Sequence, residues 1–308
     1  MSYINTTNTN SWFIIANPTS GNRNFSKLWK EIQQLLKNKN LDYSFAFTQF
    51  SKHEIALVQN AIKIGFRNII SVGGDGTLHH VVNGIMMQRY VKTSDITISV
   101  IPLGTGNDWV KTYNIPTSIK EAIEIIYKKN IITQDIGVLK TVNTITYFNN
   151  VAGLGYDGYV VSKLKSLKKF GGISYLIAGF YGMLFYKKSN FKIIINNKVI
   201  KKDCLMTVFG ICKYSGGGMR FTENIDTSSG LLNITIVKNF TFLDLIINLP
   251  KLYSGKIVNH KKVSTYKTNE ITIIPKNLKP FIQADGELIG VGNVHVTIIK
   301  KAIQFVIR

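Results

Sequence analysis

Acidic residues are scarce in this chain. Seventeen Asp and Glu stand against 38 Lys and Arg, a formal net charge of +21 over 308 residues. Such a surface attracts polyanions, whether nucleic acid, nucleotides or an anionic membrane, unless it only reflects a composition rich in Lys and Asn with scattered lysines. Cysteine is scarcer: Cys204 and Cys212 are the only two, eight positions apart and without metal-ligand spacing. That argues against a disulfide framework and for a reducing cytoplasm. Long apolar runs are absent. The longest nearly uncharged stretch, Phe170–Tyr186, has 17 residues including four glycines, below the roughly 20 of a membrane-spanning helix. Residues 1–11 (MSYINTTNTNS) hold no basic stretch followed by an apolar run and read as a polar tail, not a signal peptide. The Walker pattern G-x-x-x-x-G-K-[ST] is missing, as is G-x-G-x-x-G after the first strand. P-loop and Rossmann dehydrogenase readings are therefore disfavoured.

What is present is a globular composition, 45% apolar and 18% charged, in a chain long enough for two domains or one large one. The first half alternates strand and helix. Strands are expected at Trp12–Ala16, Tyr43–Phe47, Asn68–Val72 and Thr97–Ile101, and a helix at Asn24–Lys37. Ser51 with Glu54 reads as a capping box opening a helix to about Ile64; a third helix is expected from about Thr77, and Ser118 caps another, with Glu121 three positions on. This order predicts a parallel sheet with helices on both faces. From about Gln134 short β-rich runs dominate: Ile145–Val151, Leu205–Ile211, Leu232–Val237, Ile257–Tyr266, Ile271–Ile274, Phe281–Ala284, His295–Ile299 and Ile303–Ile307. They predict a mostly antiparallel β-sandwich. The expected division is a tail at 1–11, a nucleotide-binding α/β domain at 12–133, a β-sandwich substrate domain at 134–300, and a final strand at 301–308 able to return to the first domain.

Three loops follow three of the apolar strands: Asn17-Pro18-Thr19-Ser20-Gly21, Gly73-Gly74-Asp75-Gly76-Thr77 and Gly104-Thr105-Gly106-Asn107-Asp108. In an open parallel sheet such loops gather at the carboxyl edge, where ligands bind. Glycine lets backbone N–H groups approach an anion, and a helix starting after Gly73–Thr77 aims its N-terminus at the same place. Taken singly, each loop is equally a tight turn and each Asp a turn former; three at one sheet edge point to phosphate binding.

Together with Leu78, Val82-Asn83-Gly84 and Pro102-Leu103, these loops resemble the bacterial diacylglycerol kinase and YegS/BmrU-type lipid kinase family. The likeness continues through Asn149-Asn150-Val151-Ala152-Gly153-Leu154-Gly155-Tyr156-Asp157, Gly216-Gly217-Gly218-Met219, Ser229-Gly230-Leu231-Leu232 and Asp285-Gly286-Glu287, spanning roughly residues 12–307. It implies an α/β domain of the NAD kinase/phosphofructokinase-like kind followed by a β-sandwich. It further implies ATP and Mg²⁺ as cofactors, with ATP contacts at Asn17, Pro18, Thr19, Ser20, Gly21, Thr48, Gly73, Gly74, Asp75, Gly76, Thr77, Leu78, Thr105, Gly106 and Asn107. Asp75 and Asp108 would join a carboxylate–water–Mg²⁺ network, and Glu287 would be the general base. This suits phosphoryl transfer, which needs positioning, charge neutralisation and a proton acceptor.

The chain departs from the family pattern twice. His79-His80 stand where the family usually has Asn-Glu. Adjacent helical residues point about 100° apart, so one is expected toward the nucleotide and the other toward solvent. Ser229 stands where the family often has an Asp that helps hold a structural Mg²⁺, which weakens a second cation site at Asp226, Ser229 and Leu231.

Lys163, Lys165, Lys168 and Lys169, followed by aromatic-rich Phe170–Tyr186 and closed by Lys187 and Lys188, suit docking at an anionic membrane; a core helix is the other reading. The expectation is a cytoplasmic, peripherally associated kinase acting on diacylglycerol or a related lipid, with no nucleic-acid partner. An exposed β edge in the second domain offers a homodimer contact. A NAD kinase-like soluble enzyme shares the Gly-Gly-Asp-Gly-Thr loop and is the first alternative. A non-catalytic nucleotide- or lipid-binding relative is the second, motivated by His79, His80 and Ser229.

Overall fold

The computed structural model describes residues 10–21, 24–167, 174–187, 189–196, 198–222, 225–276 and 278–308. Most of the tail, and Lys168, Lys169, Phe170 and Lys188 of the basic aromatic segment, lie outside them. The chain divides into two compact units, Met1–Gln134 with Lys301–Arg308, and Asp135–Lys300.

The first unit alternates β1 (Trp12–Ala16), α1 (Phe25–Asn38), β2 (Tyr43–Phe47), α2 (His53–Lys63), β3 (Asn68–Gly73), α3 (Asp75–Met87), β4 (Thr97–Pro102), α4 (Asp108–Thr112) and α5 (Ile119–Lys128). Its strands are parallel in the order β2-β1-β3-β4. β3 and β4 are buried at every position, the pattern of strands covered on both faces. The helices supply that cover: α1 buries Trp29, Ile32 and Leu36, and α5 buries Ile119, Ala122, Ile123, Ile125 and Ile126. Asn24 and Ser118 cap these two helices, their side chains accepting from the backbone N–H of Lys27 and Glu121.

Two helix starts differ from the sequence reading. Ser51 does not cap α2. The cap is Lys52, in the left-handed region at φ 66°, and the turn is closed by the Gln49 N–H donating to His53 Nδ1 (3.2 Å). Glu54 is buried. Helix α3 begins at Asp75 rather than near Thr77, with Gly74 as its N-cap.

The second unit holds β5 (Asn130–Lys140, which starts in the first unit), β6 (Ile145–Phe148), β7 (Val151–Gly155), α6 (Tyr156–Leu167), α7 (Ser174–Phe185), β8 (Ser189–Ile195), β9 (Lys198–Cys204), β10 (Met206–Gly210), β11 (Tyr214–Ser215), β12 (Met219–Arg220), β13 (Leu232–Val237), α8 (Phe242–Ser254), β14 (Val263–Thr268), β15 (Glu270–Pro275), β16 (Phe281–Ala284), β17 (Glu287–Val291) and most of β18 (Val294–Ile307). One antiparallel sheet runs β14-β13-β10-β7-β16-β17. In a second, β18, β15, β8 and β9 are successive antiparallel neighbours. The two runs expected at His295–Ile299 and Ile303–Ile307 are one strand. Its last residues belong to the first unit, where Gln304 and Phe305 pair in parallel with Thr97 and Ile98 of β4.

Lys256–Asn259 forms a 3-10 turn, so the strand expected from Ile257 starts at Val263. Helix α8, absent from the sequence reading, carries a full capping box at Thr241 and Asp244 and ends at Gly255 with φ 83°. Among the described residues no helix is long and apolar enough to cross a membrane.

Candidate active site

All three glycine-bearing loops sit at the carboxyl ends of β1, β3 and β4, and they are bonded to one another. Asn17 N–H donates to the Val72 carbonyl (2.9 Å) and its Nδ2 to Thr77 Oγ1 (3.2 Å), joining the first loop to the second. Asn17 Oδ1 accepts from the backbone N–H (3.0 Å) and hydroxyl (2.8 Å) of Thr19, shaping its own turn. The Leu103 N–H donates to the Gly73 carbonyl (2.8 Å), joining the second loop to the third. Asn107, left-handed at φ 50°, donates from Nδ2 to the Gly104 carbonyl (2.7 Å).

The glycines are what allow this proximity. A Cβ on Gly104 would stand 2.5 Å from Gly74 Cα, and one on Gly21 the same distance from the Leu103 carbonyl oxygen. The first N–H groups of α3 belong to this cradle, because a helix start leaves them without intrahelical partners. Together with the helix dipole they form an anion site. Thr48 lies just beyond β2, its N–H donating to the Ala16 carbonyl (3.0 Å). Thr105 is exposed and Gly106 half-buried at the rim of the third loop.

Asp75 has a structural task as well. Its Oδ2 accepts from the Asp108 N–H (3.1 Å) and its Oδ1 from the Trp109 N–H (3.3 Å), so it caps α4 from across the edge. Asp108 is buried and its Oδ1 lies 2.9 Å from Lys111 Nζ. Both carboxylates are hard oxygen donors, the type Mg²⁺ takes.

His79 and His80 are both buried, so the expected split between nucleotide and solvent does not occur. Their rings meet edge to face, centroids 5.1 Å apart. Asn83 Nδ2 donates to the His79 carbonyl (2.8 Å). Burial, then the neighbouring His79 and Lys52, push the His80 pKa down to about 4, so its ring is neutral near pH 7.

In the second unit the Asp285-Gly286-Glu287 turn joins β16 to β17. Asp285 is left-handed at φ 50°. Its carboxylate accepts from the N–H groups of Asn149 (3.1 Å), Asn150 (2.9 Å) and Val151 (3.1 Å). Asp285 therefore clamps the backbone entering β7, and Glu287 beside it is half-exposed.

Asp157 closes the Asn149–Asp157 motif, and its desolvation arises only in three dimensions. Burial raises its pKa to about 6, against a hydrogen bond from Gln283 Nε2 (2.6 Å). It lines an otherwise apolar cavity bounded by Phe180, Leu205, Met206, Leu245, Leu249 and Leu252.

The loop at Asp226 is closed on itself. Ser228 donates to Asp226 Oδ1 through both N–H and Oγ (2.9 Å each), Ser229 Oγ donates to the Asp226 carbonyl (3.1 Å), and the Gly230 N–H donates to Asp135 Oδ2 (2.6 Å). The Ser228 bonds first, then Lys300 and Lys267, hold the Asp226 carboxyl below its ordinary range. Among the described residues no three His, Cys, Asp or Glu side chains gather as a metal-ligating group. A cation at Asp226, Ser229 and Leu231 would compete with the loop's own bonds.

Residues 11–139 match the family described as diacylglycerol kinase catalytic domain, and residues 150–307 the YegS C-terminal NAD kinase beta sandwich-like domain. YtlR of Bacillus subtilis, which carries a provisional lipid kinase name, is 28% identical over 296 residues, covering 91% of this chain and 94% of its own. A diacylglycerol kinase of Staphylococcus haemolyticus is 28% identical over 264 residues, covering 84% and 77%. A solved structure described as a diacylglycerol kinase from Bacillus anthracis superposes with a TM-score of 0.79 at 22% identity, covering 98% of this chain and 99% of that one, a likeness of fold. The chain belongs to the diacylglycerol kinase and YegS-like family of lipid kinases.

Proposed function

We propose that this protein is an ATP- and Mg²⁺-dependent lipid kinase that transfers the γ-phosphate of ATP to the hydroxyl of diacylglycerol or a related lipid. The observation that carries this reading is the mutual bonding of the Asn17, Gly73 and Gly104 loops around the start of α3, with Asp75 at their junction. Backbone N–H groups of these loops would hold the phosphates, with Asn17–Gly21, Thr48, Gly73–Leu78 and Thr105–Asn107 bordering the nucleotide. Mg²⁺, when bound, would neutralise phosphate charge, held by Asp75 and Asp108. Glu287 would accept the proton of the lipid hydroxyl, while Asp285 fixes the turn that carries it. A second cation at Asp226, Ser229 and Leu231 would bind weakly, given the internal bonds of that loop.

The apolar cavity of the second unit supports a lipid acceptor over a soluble dinucleotide: its lining is aliphatic and aromatic apart from Asp157 and the Tyr156 hydroxyl. A peripheral, cytoplasmic enzyme drawn to anionic membranes by its charge of +21 follows from the same reading.

The test is transfer of labelled phosphate from ATP, with and without Mg²⁺, to diacylglycerol, monoacylglycerol, undecaprenol-type and sphingoid lipids, and to NAD. Transfer to a lipid, and not to NAD, is expected. Labelling of NAD alone, or ATP binding with no labelling of any acceptor, would overturn the reading.

A further inference from the structure

Helix α8 is apolar on two sides. Leu245, Leu249 and Leu252 face the cavity. On the other side Leu243 is 66%, Ile246 44% and Ile247 69% exposed. A helix apolar all round is ordinarily buried, yet here three large aliphatic side chains follow one another at i, i+3 and i+4 in the open. The patch continues onto α7, where Tyr181 and Phe185 are exposed, and the Phe180 and Phe242 rings, 6.0 Å apart, join the two helices.

We propose that α8 is an interfacial element that seats this unit on an anionic lipid bilayer, with Leu243, Ile246 and Ile247 sunk to the boundary between headgroups and acyl chains. Charge selects the occupant. Lys251 lies on α8 and Lys256 just after it, and the fields of Lys251, Lys262 and Lys261 all bear on His260. The acidic residue of α8, Asp244, is held at its capped end by Thr241 and Lys262. An apolar strip edged with lysine matches anionic headgroups over acyl chains. A second copy of the chain would set the same lysines against one another, an arrangement of like charges that disfavours a dimer here. Seating α8 in this way would also put lipid chains beside the helix that walls the cavity. Only this choice of occupant rests on the lipid kinase reading.

The experiment is co-sedimentation of the full chain with vesicles of phosphatidylcholine alone and of phosphatidylcholine with about one third phosphatidylglycerol, at low and high salt. The variant L243Q/I247Q alters exposed side chains outside the cavity lining, and its thermal unfolding should match wild type. Wild type should bind the anionic vesicles preferentially, and the variant should lose roughly tenfold or more of that binding. Unchanged vesicle binding by a folded variant overturns the proposal. So does equal binding to both vesicle types, or a dimer in light scattering that the variant abolishes. Phosphate transfer to detergent-dispersed lipid is read separately: its absence would remove the kinase assignment and leave the docking result standing.

Discussion

Asp75 caps α4 and, in the proposed function, serves the phosphates, and its substitution can separate the two. As a cap it accepts two backbone N–H groups of α4, at 3.1 and 3.3 Å. Losing a capping carboxylate costs about 0.5–2 kcal/mol. The site is partly exposed, so water can take over some of the lost bonding. Asp75→Ala should therefore cost about 1–2 kcal/mol, and Asp75→Asn, which keeps one acceptor oxygen of the same shape, under about 1 kcal/mol. In a chain of 308 residues that is a fall in Tm of a few degrees at most. In the proposed function Asp75 would also be a charge beside the phosphates, and loss of one such electrostatic contact commonly costs about 100-fold or more in rate.

Both variants should thus stay folded in urea and thermal melts, and both should lose at least about 100-fold in phosphate transfer. The Asn variant is the informative one. Normal turnover in Asp75→Asn would reduce Asp75 to a cap for α4. An Asp75→Ala protein as stable as wild type would show that the cap contributes nothing. Either result refutes half of the argument without touching the other.

His80 should make stability pH-dependent. Its folded pKa of about 4 lies below the ordinary 6.5, so its contribution is complete above pH 6.5 and falls away toward pH 4, by about 2 kcal/mol allowing for partial solvent access; urea melts of His80→Gln should lack that slope. Asp157, with its carboxyl raised to about 6, has the opposite sign. Its burial costs nothing below the unfolded value and destabilises as pH rises to 6, so Asp157→Asn should unfold at higher urea than wild type at pH 7.5, and equal midpoints would contradict this. Gly104→Ala puts a methyl 2.5 Å from Gly74 Cα and 2.8 Å from Asn107 Oδ1; it should cost about 1–3 kcal/mol and weaken ATP binding in calorimetry. Gly290→Ala, with open space at that position, should do neither. Asp285→Ala strips the acceptor from three backbone N–H groups of Asn149, Asn150 and Val151, and a loss of about 2–4 kcal/mol in urea midpoints is expected.

The first unit could be read closely because its signals are local. Apolar strands buried at every position, Asn24 and Ser118 at helix starts, and glycine loops after strands all act within a few residues of themselves. Ser51 failed as a cap because Lys52 takes a left-handed conformation, a choice that propensity does not encode. The second unit was harder. β8 carries Phe191, Ile193 and Ile195 on its buried face, but an Ile-Ile-Ile run hides that alternation. α8 contains Pro250 and is apolar on both sides, so neither a breaker rule nor a single-face period finds it. The site followed the same division. Asp75 and the loops were legible as types in a pattern. The clamp by Asp285 and the raised pKa of Asp157 depend on what chain segments more than a hundred residues away place beside them.

The histidine pair now has a different meaning from the one its position suggested. Gly74, Gly104, Gly21 and Gly106 pack against the backbone and side chains of the neighbouring loops, so the cradle is built from the start of α3 and the loops around it. His79 and His80 lie one turn further along α3 and are buried with Val81 and Val82. A carboxylate at position 80 would face the same desolvation that drives the imidazole toward its neutral form, with Lys52 as the nearby positive charge. A histidine meets that environment uncharged. The departure from the family's Asn-Glu thus falls at buried positions of α3. It predicts that His79→Asn with His80→Glu alters the pH dependence of unfolding more than it alters ATP affinity. A tenfold change in ATP Kd with an unchanged pH–stability profile would put the pair back in the nucleotide site.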